Sequence, residues 1–378
     1  MIVSGPAVGT TPPRVALLTY STRPRGGVVH TLALAEALVA LGVRVDVWTL
    51  ARGGDAAFFR PVDPRVGVRA VPFPEVADET VGERIVRSIA VLGDVFDAAR
   101  EAYDVVHAQD CISANAALPC VRTVHHLDTF TTPELAACHD RAVAAPSDLV
   151  CVSAAVAGEV RDGWGRVATV IPNGVDAARF AAGAQDAAGR SRWADRLGRY
   201  VLALGGIEPR KASLDLLEVY AALPPDLRAT RRLVLGGGET LFDYRDYRAA
   251  FDRRCAELGV EPVVLGTLGE DELPALVAQA DVLAMVSTKE GFGLAAMEAL
   301  AAGVPVVARD LPVLREVLGD AVAYAADPPG TTAALTGVLA GVLSAPPDPA
   351  PGRAVAASYT WDRAARAHLV LYERLLGR

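Results

Sequence analysis

The chain of 378 residues predicts an α/β protein built from two doubly wound, parallel-sheet domains in tandem. Three observations carry this. Short β-rich runs alternate with Ala/Leu-rich helical segments along the whole chain, the pattern of a parallel sheet with crossover helices. A complete strand–Gly loop–helix–strand unit stands near the start, and a second alternation begins afresh near residue 200. The length is also too great for one ordinary core and suits two domains of roughly 150–200 residues.

The elements follow in order. Arg14–Tyr20 (RVALLTY) is a short apolar run closed by turn residues, a buried first strand. After Gly26-Gly27, the segment VVHTLALAEALVAL places apolar residues at helical spacing and stops at Gly42, where a helix end favours a residue without Cβ. VRVDVWTL is the next strand. Further strands are expected at Asp104–Ala108, Arg122–His125, Leu149–Ser153 and Thr169–Pro172. Phe180–Leu197 is Ala-, Gly- and charge-rich without strong periodicity, and it marks the boundary between a domain over 1–190 and one over 195–352. The second set of strands is expected at Tyr200–Gly205, Arg232–Gly237, Pro262–Leu265, Asp281–Val286 and Pro305–Ala308. Ala345–Gly352 (APPDPAPG) reads as a proline-rich break. Trp361–Leu376 is amphipathic, with Trp361, Ala365, Leu369, Tyr372 and Leu376 on one face.

Composition excludes several function classes. Hydrophobic residues are 52% and charged residues 22%, which argues against disorder, and a net charge of −8 argues against wrapping nucleic acid. No stretch approaches the ~18 apolar residues of a membrane span. The opening MIVSGPAVGTTPPR lacks the charged and apolar regions of a secretory signal. Cys111, Cys120, Cys138, Cys151 and Cys255 are odd in number, widely spaced and without a CxxC pair, so they read as reduced residues of a cytoplasmic protein. Of 37 basic residues only Lys211 and Lys289 are lysine. Both fall in segments that carry motifs.

The most informative segment is Ser287–Val307, STKEGFGLAAMEALAAGVPVV. With Leu294–Ala302 as a helix, Gly291–Leu294 forms its N-terminal approach, where free N–H groups and the helix dipole attract anions and hydroxyl oxygens. Glycines there let a ligand come close to the backbone. Glu298, about one turn into the helix, has the place to accept from both ribose hydroxyls, and Glu290 in the loop from sugar hydroxyls. A Gly-rich approach to an ordinary helix explains the carboxylates equally well. A glycosidase acid–nucleophile pair is disfavoured. It needs about 5–5.5 Å between carboxylates, whereas eight helical positions at ~1.5 Å span about 12 Å.

This segment resembles the donor-site motif of the retaining glycosyltransferases of family four, which have the GT-B fold of two Rossmann-like domains facing a central cleft. EGFGL followed by MEALAAGVPVVA follows the family pattern almost position by position. VIPNGVD (Val170–Asp176), VLGGGE (Val234–Glu239) and LGTLGEDELPALVAQADV (Leu265–Val282) are similar to other family segments, so the resemblance runs over essentially the whole chain. It implies that Glu290 holds the transferred sugar and Glu298 the ribose. The amides of Gly291, Phe292, Gly293 and Leu294 lie near sugar hydroxyls and phosphate, and the backbone at Leu268 faces the nucleobase. GGIEPRKAS (Gly205–Ser213) matches a phosphate motif usually of the form GRLxxxKG. Gly206 stands where arginine is usual and Ala212 where the second glycine is usual. Lys211 keeps the lysine position, and Arg210 beside it is the candidate to replace the missing cation.

On the first-domain side, the resemblance places Gly27 near the diphosphate and acceptor, although a tight turn explains that glycine equally well. Thr123-Val124-His125 matches a TxH setting whose histidine contacts the transferred sugar. His125 is chosen over His126 because alternate strand residues switch faces. His107 reads as structural. The terminal helix (357–378) resembles the one that packs back on the first domain.

The expected reaction is transfer of a hexosyl unit from a nucleotide diphosphate-sugar, with uridine diphosphate favoured, to a sugar or small-molecule acceptor with retention of configuration. Lys211, Glu290 and His125 are the catalytic candidates. The departing phosphate oxygen takes the acceptor proton, and protein cations stand where other enzymes use a metal, so no cofactor or metal is expected. The alternative is a GT-B relative with other chemistry, a glycosyl phosphorylase or sugar-nucleotide epimerase. No stable membrane insertion is expected. The helical segment GERIVRSIAVLGDVFDAARE has only Arg84, Arg87 and Arg100 among comparable acids, which favours a soluble acceptor.

Overall fold

The computed structural model describes residues 12–130, 132–238, 244–326, 328 and 331–378. Most of MIVSGPAVGTTPPR, Glu239 of VLGGGE and the start of TLFDYRDYRAAF lie outside the described residues. Two parallel sheets organise the rest. The first has seven strands: β1 (Arg14–Leu18), β2 (Arg44–Arg52), β3 (Gly67–Phe73), β4 (Val105–Ala108), β5 (Val121–Val124), β6 (Asp148–Cys151) and β7 (Thr169–Val170), in the order β3-β2-β1-β4-β5-β6-β7. The second has six: β8 (Arg199–Leu204), β9 (Arg231–Gly236), β10 (Val263–Gly266), β11 (Val282–Met285), β12 (Val306–Arg309) and β13 (Ala323–Ala325), in the order β10-β9-β8-β11-β12-β13. Each order reverses direction once, between β1 and β4 and between β8 and β11. Doubly wound sheets bind ligands outside the strand ends at such points.

Packing divides the chain into two compact units. One runs through Val124 and includes Thr129–Val150 and Asp362–Arg378; the other comprises His125–Asp128 and Cys151–Trp361. In the first unit β1 is covered on both faces, which explains its unbroken apolar run. Leu18, Trp48, Leu50, Phe73 and Phe96 share a core, with Trp48 edge-on to Phe96. The helix Val81–Asp97 begins with a capping box in which Thr80 and Glu83 satisfy each other's backbone amides. The terminal helix Trp361–Leu375 buries His368 and Tyr372. Tyr372 Oη lies 2.7 Å from His107 Nδ1, and Thr123 Oγ1 lies 2.7 Å from His107 Nε2. Burial pushes the His107 imidazole well below its usual pKa, so it is a neutral structural link.

In the second unit the core gathers Phe180, Trp193, Tyr200, Leu276, Met285, Phe292 and Met297. Phe180–Leu197 departs from expectation. It forms helices Ala177–Gln185 and Ala187–Leu197, capped by the side chains of Asp176 and Asp186. The caps set these helices, and the burial of Phe180, Trp193 and Leu197 holds them. The segment Ala345–Gly352 likewise runs into a helix, Ala350–Ser358, because proline is tolerated in a first helical turn. Strands β3 and β13 were not legible in the sequence: each lies at one edge of its sheet, β3 is largely exposed over its first half and β13 is only three residues long, so neither writes a continuous apolar run.

Candidate functional site

The ends of β8, β9 and β10 converge through glycines. The Gly205 amide donates to the Gly236 carbonyl at 2.8 Å, and the Gly237 amide to the Gly266 carbonyl at 2.9 Å. A Cβ on Gly237 would strike the Gly205 backbone, and one on Gly236 would strike Leu268. These glycines therefore let three loops close together, and Leu268 packs on that floor.

From Gly205 the chain enters a single 3₁₀ turn, Pro209–Lys211, and then the helix Ser213–Ala221. The joint is Ala212, in left-handed conformation at φ +50°. This is the position where glycine is usual, and here a buried alanine carries the strain. The turn aims Lys211 at the loop after β11. Lys211 Nζ lies 2.5 Å from Glu290 Oε1, and Arg210 Nη1 lies 3.7 Å from Glu290 Oε2. Arg210 also contacts Glu208 Oε1 at 3.0 Å and Asp128 Oδ1 at 4.0 Å. Its carbonyl accepts from the Thr288 amide at 2.9 Å, so the phosphate-motif turn and the Glu290 loop are joined by backbone.

Glu290 is well buried. Burial alone would raise its carboxyl, but Lys211, then Arg210, and a hydrogen bond from Ser287 hold it down at about 2. It is a carboxylate near neutral pH. Glu298 lies in the opposite regime. It makes no hydrogen bond or ion pair among the described residues. Burial lifts its carboxyl to about 8, with Arg179 pulling it down and Glu270 pushing it up. Arg179 is itself taken up by Glu270 at 2.7 Å.

The helix Leu294–Ala302 starts as the sequence predicts, with Gly293 as its cap at φ +89° and no side-chain cap. Its first amides therefore remain available to a ligand. Phe292 turns inward, edge-on to Tyr359, so only its backbone faces the loop. Gly291 lies directly against the His125 carbonyl, where any Cβ would collide.

His125 thus meets Gly291 through its backbone. Strand β5 ends at Val124, so face alternation does not distinguish His125 from His126; the His126 ring instead pairs with Asp128 at 2.9 Å. The structure brings Arg210, Lys211, Glu290, Gly291 and the His125–Asp128 segment together in the second unit. Gly27 lies in the first, within the opening turn of the helix Gly26–Ala40, where its carbonyl accepts from Thr31 Oγ1 at 2.7 Å.

Sequence reasoning missed three contributors. Lys289 Nζ donates to the Leu127 carbonyl at 3.0 Å and faces Glu159 at 3.8 Å, fastening the His125–Asp128 segment. Its rarity in an arginine-rich chain was the available signal. Asp128 had none, because the partner that ties it to the site, Arg210, comes from a distant loop. Arg309 is buried, bonded to Asp215 at 2.6 Å and to the Val286 carbonyl at 3.0 Å, and so braces the end of β11 against the Lys211 helix. Among the described residues no cluster of three or more His, Cys, Asp or Glu side chains is placed to hold a metal, and no helix is long and apolar enough to cross a membrane.

Residues 24–179 match the profile described as Glycosyltransferase Family 4, and residues 194–355 the one described as Glycosyl transferases group 1. The chain is 31% identical to a D-inositol 3-phosphate glycosyltransferase of Mycolicibacterium vanbaalenii, over 97% of this chain and 90% of that protein. It is 27% identical to an MMP alpha-(1->4)-mannosyltransferase of Mycolicibacterium hassiacum, over 97% and 99%. In fold it is similar to sucrose-phosphate synthase of Thermosynechococcus elongatus, with a TM-score of 0.76 and 19% identity over 97% of this chain and 99% of that one. It is also similar to Anabaena HepE solved with UDP and glucose, with a TM-score of 0.67 and 20% identity over 97% and 98%. With the donor motif, the paired sheets and these likenesses in hand, the chain belongs to glycosyltransferase family 4, the GT-B enzymes that transfer a glycosyl unit from a nucleotide-sugar with retention of configuration.

Proposed function

We propose that this enzyme moves a hexosyl unit from a uridine diphosphate-sugar onto a hydroxyl of a small soluble acceptor, and that it works in the cytoplasm. The observation that carries the reading is the Lys211–Glu290 pair at the glycine-rich approach to the helix Leu294–Ala302. One anion-seeking and one hydroxyl-seeking group sit side by side there. A solved likeness that holds UDP favours uridine. Relatives named for inositol phosphate and mannosyl chemistry favour a compact polyhydroxy acceptor. None of the five cysteines lies in a disulfide, which fits a reducing compartment.

In this reading residues 195–352 hold the donor. Residues 1–190, with the terminal helix 357–378, serve the acceptor; the family profiles divide between 179 and 194 in support. Glu298 accepts from the ribose hydroxyls, and the backbone at Leu268 faces the base. Lys211 and Arg210 meet the diphosphate, joined by the amides of Gly291, Phe292, Gly293 and Leu294. Gly27 serves the diphosphate from the first lobe. Glu290 and His125 orient the transferred sugar.

As the bond from C1 to the phosphate oxygen lengthens, negative charge gathers on the diphosphate and positive charge on the sugar. Fixed cations and amide dipoles stabilise the first, and the Glu290 carboxylate stabilises the second. The acceptor attacks from the leaving-group face. Its proton passes to the departing phosphate oxygen, so no separate side-chain base is needed. A thermal-shift screen with uridine, guanosine and adenosine diphosphate-sugars tests the donor, and NMR of the product reads the anomeric configuration. If no nucleotide-sugar raises the melting temperature, the site assignment is wrong.

A further inference from the structure

The first unit holds a second reactive cluster that the transfer chemistry does not use. Strand β4 ends at Ala108, and the chain turns through Asp110 into the helix Cys111–Ala116. Cys111 is the first residue of that helix, with Asp110 as its cap. The Cys111 thiol faces the Cys138 thiol, which projects from the helix Pro133–Ala144. Asn115 Nδ2 donates to the Cys111 carbonyl at 2.8 Å and the Cys138 carbonyl at 2.7 Å, and it lies 3.4 Å from Cys138 Sγ. One amide therefore holds both cysteines in register. Cys111 is part-exposed and Cys138 buried.

Arg122, on β5, supplies the charge. It is 4% exposed, and its Nε and Nη1 meet no acceptor, so it has donors to spare for a thiolate formed beside it. The groups that face it are Cys111, Asp110, Cys138 and Cys120. The contact with Cys138 and then the Arg122 guanidinium hold the Cys111 thiol below its usual pKa, against the effect of burial. The contact with Cys111 and burial push Cys138 far up. Exposure separates the two roles: the part-exposed Cys111 can meet a solute, and the buried Cys138 can only follow it.

We propose that Cys111 is a thiol–disulfide exchange site that takes low-molecular-weight disulfides, with Cys138 as its resolving partner. The Cys111 thiolate attacks one sulfur of RSSR, a Cys111–SR bond forms, and RS⁻ leaves. Cys138, giving up its proton to solvent, attacks the Cys111 sulfur; the Cys111–Cys138 bond forms and the second RS⁻ leaves. The protein loses two electrons and RSSR gains them. Asp110 couples the event to the sheet, because its carboxylate accepts from the Ser113 amide at 2.8 Å and from the Tyr20 amide at 2.9 Å. Drawing Cys111 toward Cys138 displaces the loops that follow β1 and β4 at their reversal point. Crosslinking therefore slows glycosyl transfer; this consequence rests on the first lobe serving the acceptor.

The test uses the full chain, first assayed for transfer in the reduced state, then incubated with oxidised glutathione and mapped by peptide mass. The expected result is a Cys111–Cys138 linked peptide lighter by two hydrogens, with kcat/KM falling about tenfold or more and recovering with dithiothreitol. C138S should stop at a Cys111–glutathione adduct, C111S should react at neither position, and C120S should behave as wild type. If C138S does not fold, C138A reads the same outcome. R122M should move the pH midpoint of Cys111 alkylation upward. The proposal is overturned if the folded, reduced-active enzyme forms neither adduct nor crosslink at Cys111. It is equally overturned if the crosslink leaves transfer unchanged, or if R122M leaves the alkylation profile in place.

Discussion

Lys211 Nζ stands 2.5 Å from Glu290 Oε1 across two loops separated by 79 positions in sequence. The pair is both a structural tie and the centre of the proposed site, and these roles separate by mutation. Lys211→Ala leaves Glu290 buried with Arg210 at 3.7 Å and the Ser287 hydrogen bond as its remaining partners, a half-compensated charge that costs up to about 3 kcal/mol. Turnover falls by about 10²–10³. Adding Glu290→Gln removes the stranded charge, so the double variant regains most of the melting temperature while turnover stays low. Recovery of both together would mean that the pair is only a tie.

The same pair sets the acid limit of stability. Glu290 is held at about 2, below its unfolded value, so its contribution is complete above the unfolded pKa and is lost as pH falls from there toward 2. Glu290→Gln should flatten the acid limb of a melting-temperature profile between pH 5 and pH 3, where about 4.3 is the ordinary value. An unchanged acid limb would count against the assigned environment.

Glu298 behaves oppositely. Its folded pKa of about 8 lies above the unfolded value. Its share of stability is present in full below the unfolded pKa and declines as pH rises through 8. Glu298→Gln should therefore stabilise the protein at pH 8.5 relative to wild type and leave it unchanged at pH 4. In wild type, donor KM should fall as pH rises through 8, because the ionised carboxyl accepts from both ribose hydroxyls. In Glu298→Gln the KM should be higher and flat with pH. Steady-state assays from pH 6.5 to 9 read this directly.

Gly291 tolerates no side chain, because a Cβ there meets the His125 carbonyl. Gly291→Ala must push the Glu290 loop away from the His125–Asp128 segment. The cost is about 1–3 kcal/mol, with kcat reduced about 10²-fold by misplacement alone. A wild-type rate in a folded Gly291→Ala enzyme would show that the contact does not position the site.

Ala212 offers the reverse experiment. Its φ of +50° costs an alanine roughly 1–2 kcal/mol, and glycine gives back about 0.4–1 kcal/mol through unfolded-chain entropy. Ala212→Gly should raise stability by about 1 kcal/mol, read as a shift in the denaturation midpoint. No shift would mean that the turn is held without strain.

Several elements were legible because they are local. The helix Leu294–Ala302 begins and ends where glycines flank an apolar run, and strands such as β1 and β8 are buried on both faces and write themselves as continuous hydrophobic stretches. The edge strands β3 and β13 pair with the strands just before them but are half-exposed or very short, so they write no apolar run, and the helices across Phe180–Leu197 gain their burial from neighbours distant in sequence. The residues Lys211, Glu290 and Glu298 could be named from the family motifs they resemble, but their ionisation could not. Two glutamates eight positions apart differ in acidity because two cations face one and none is free for the other.

The sequence by itself determined the α/β alternation, the two domains and the family motifs, because hydrophobic period, glycine placement and motif spacing are properties of short segments. Only the tertiary structure decided that Asp128 and Lys289 fasten the His125 segment, that Ala212 takes a left-handed turn, and that Cys111 meets Cys138 beside Arg122. Each of those depends on which distant groups are brought close in a low-dielectric interior, where distance and desolvation set the charge state.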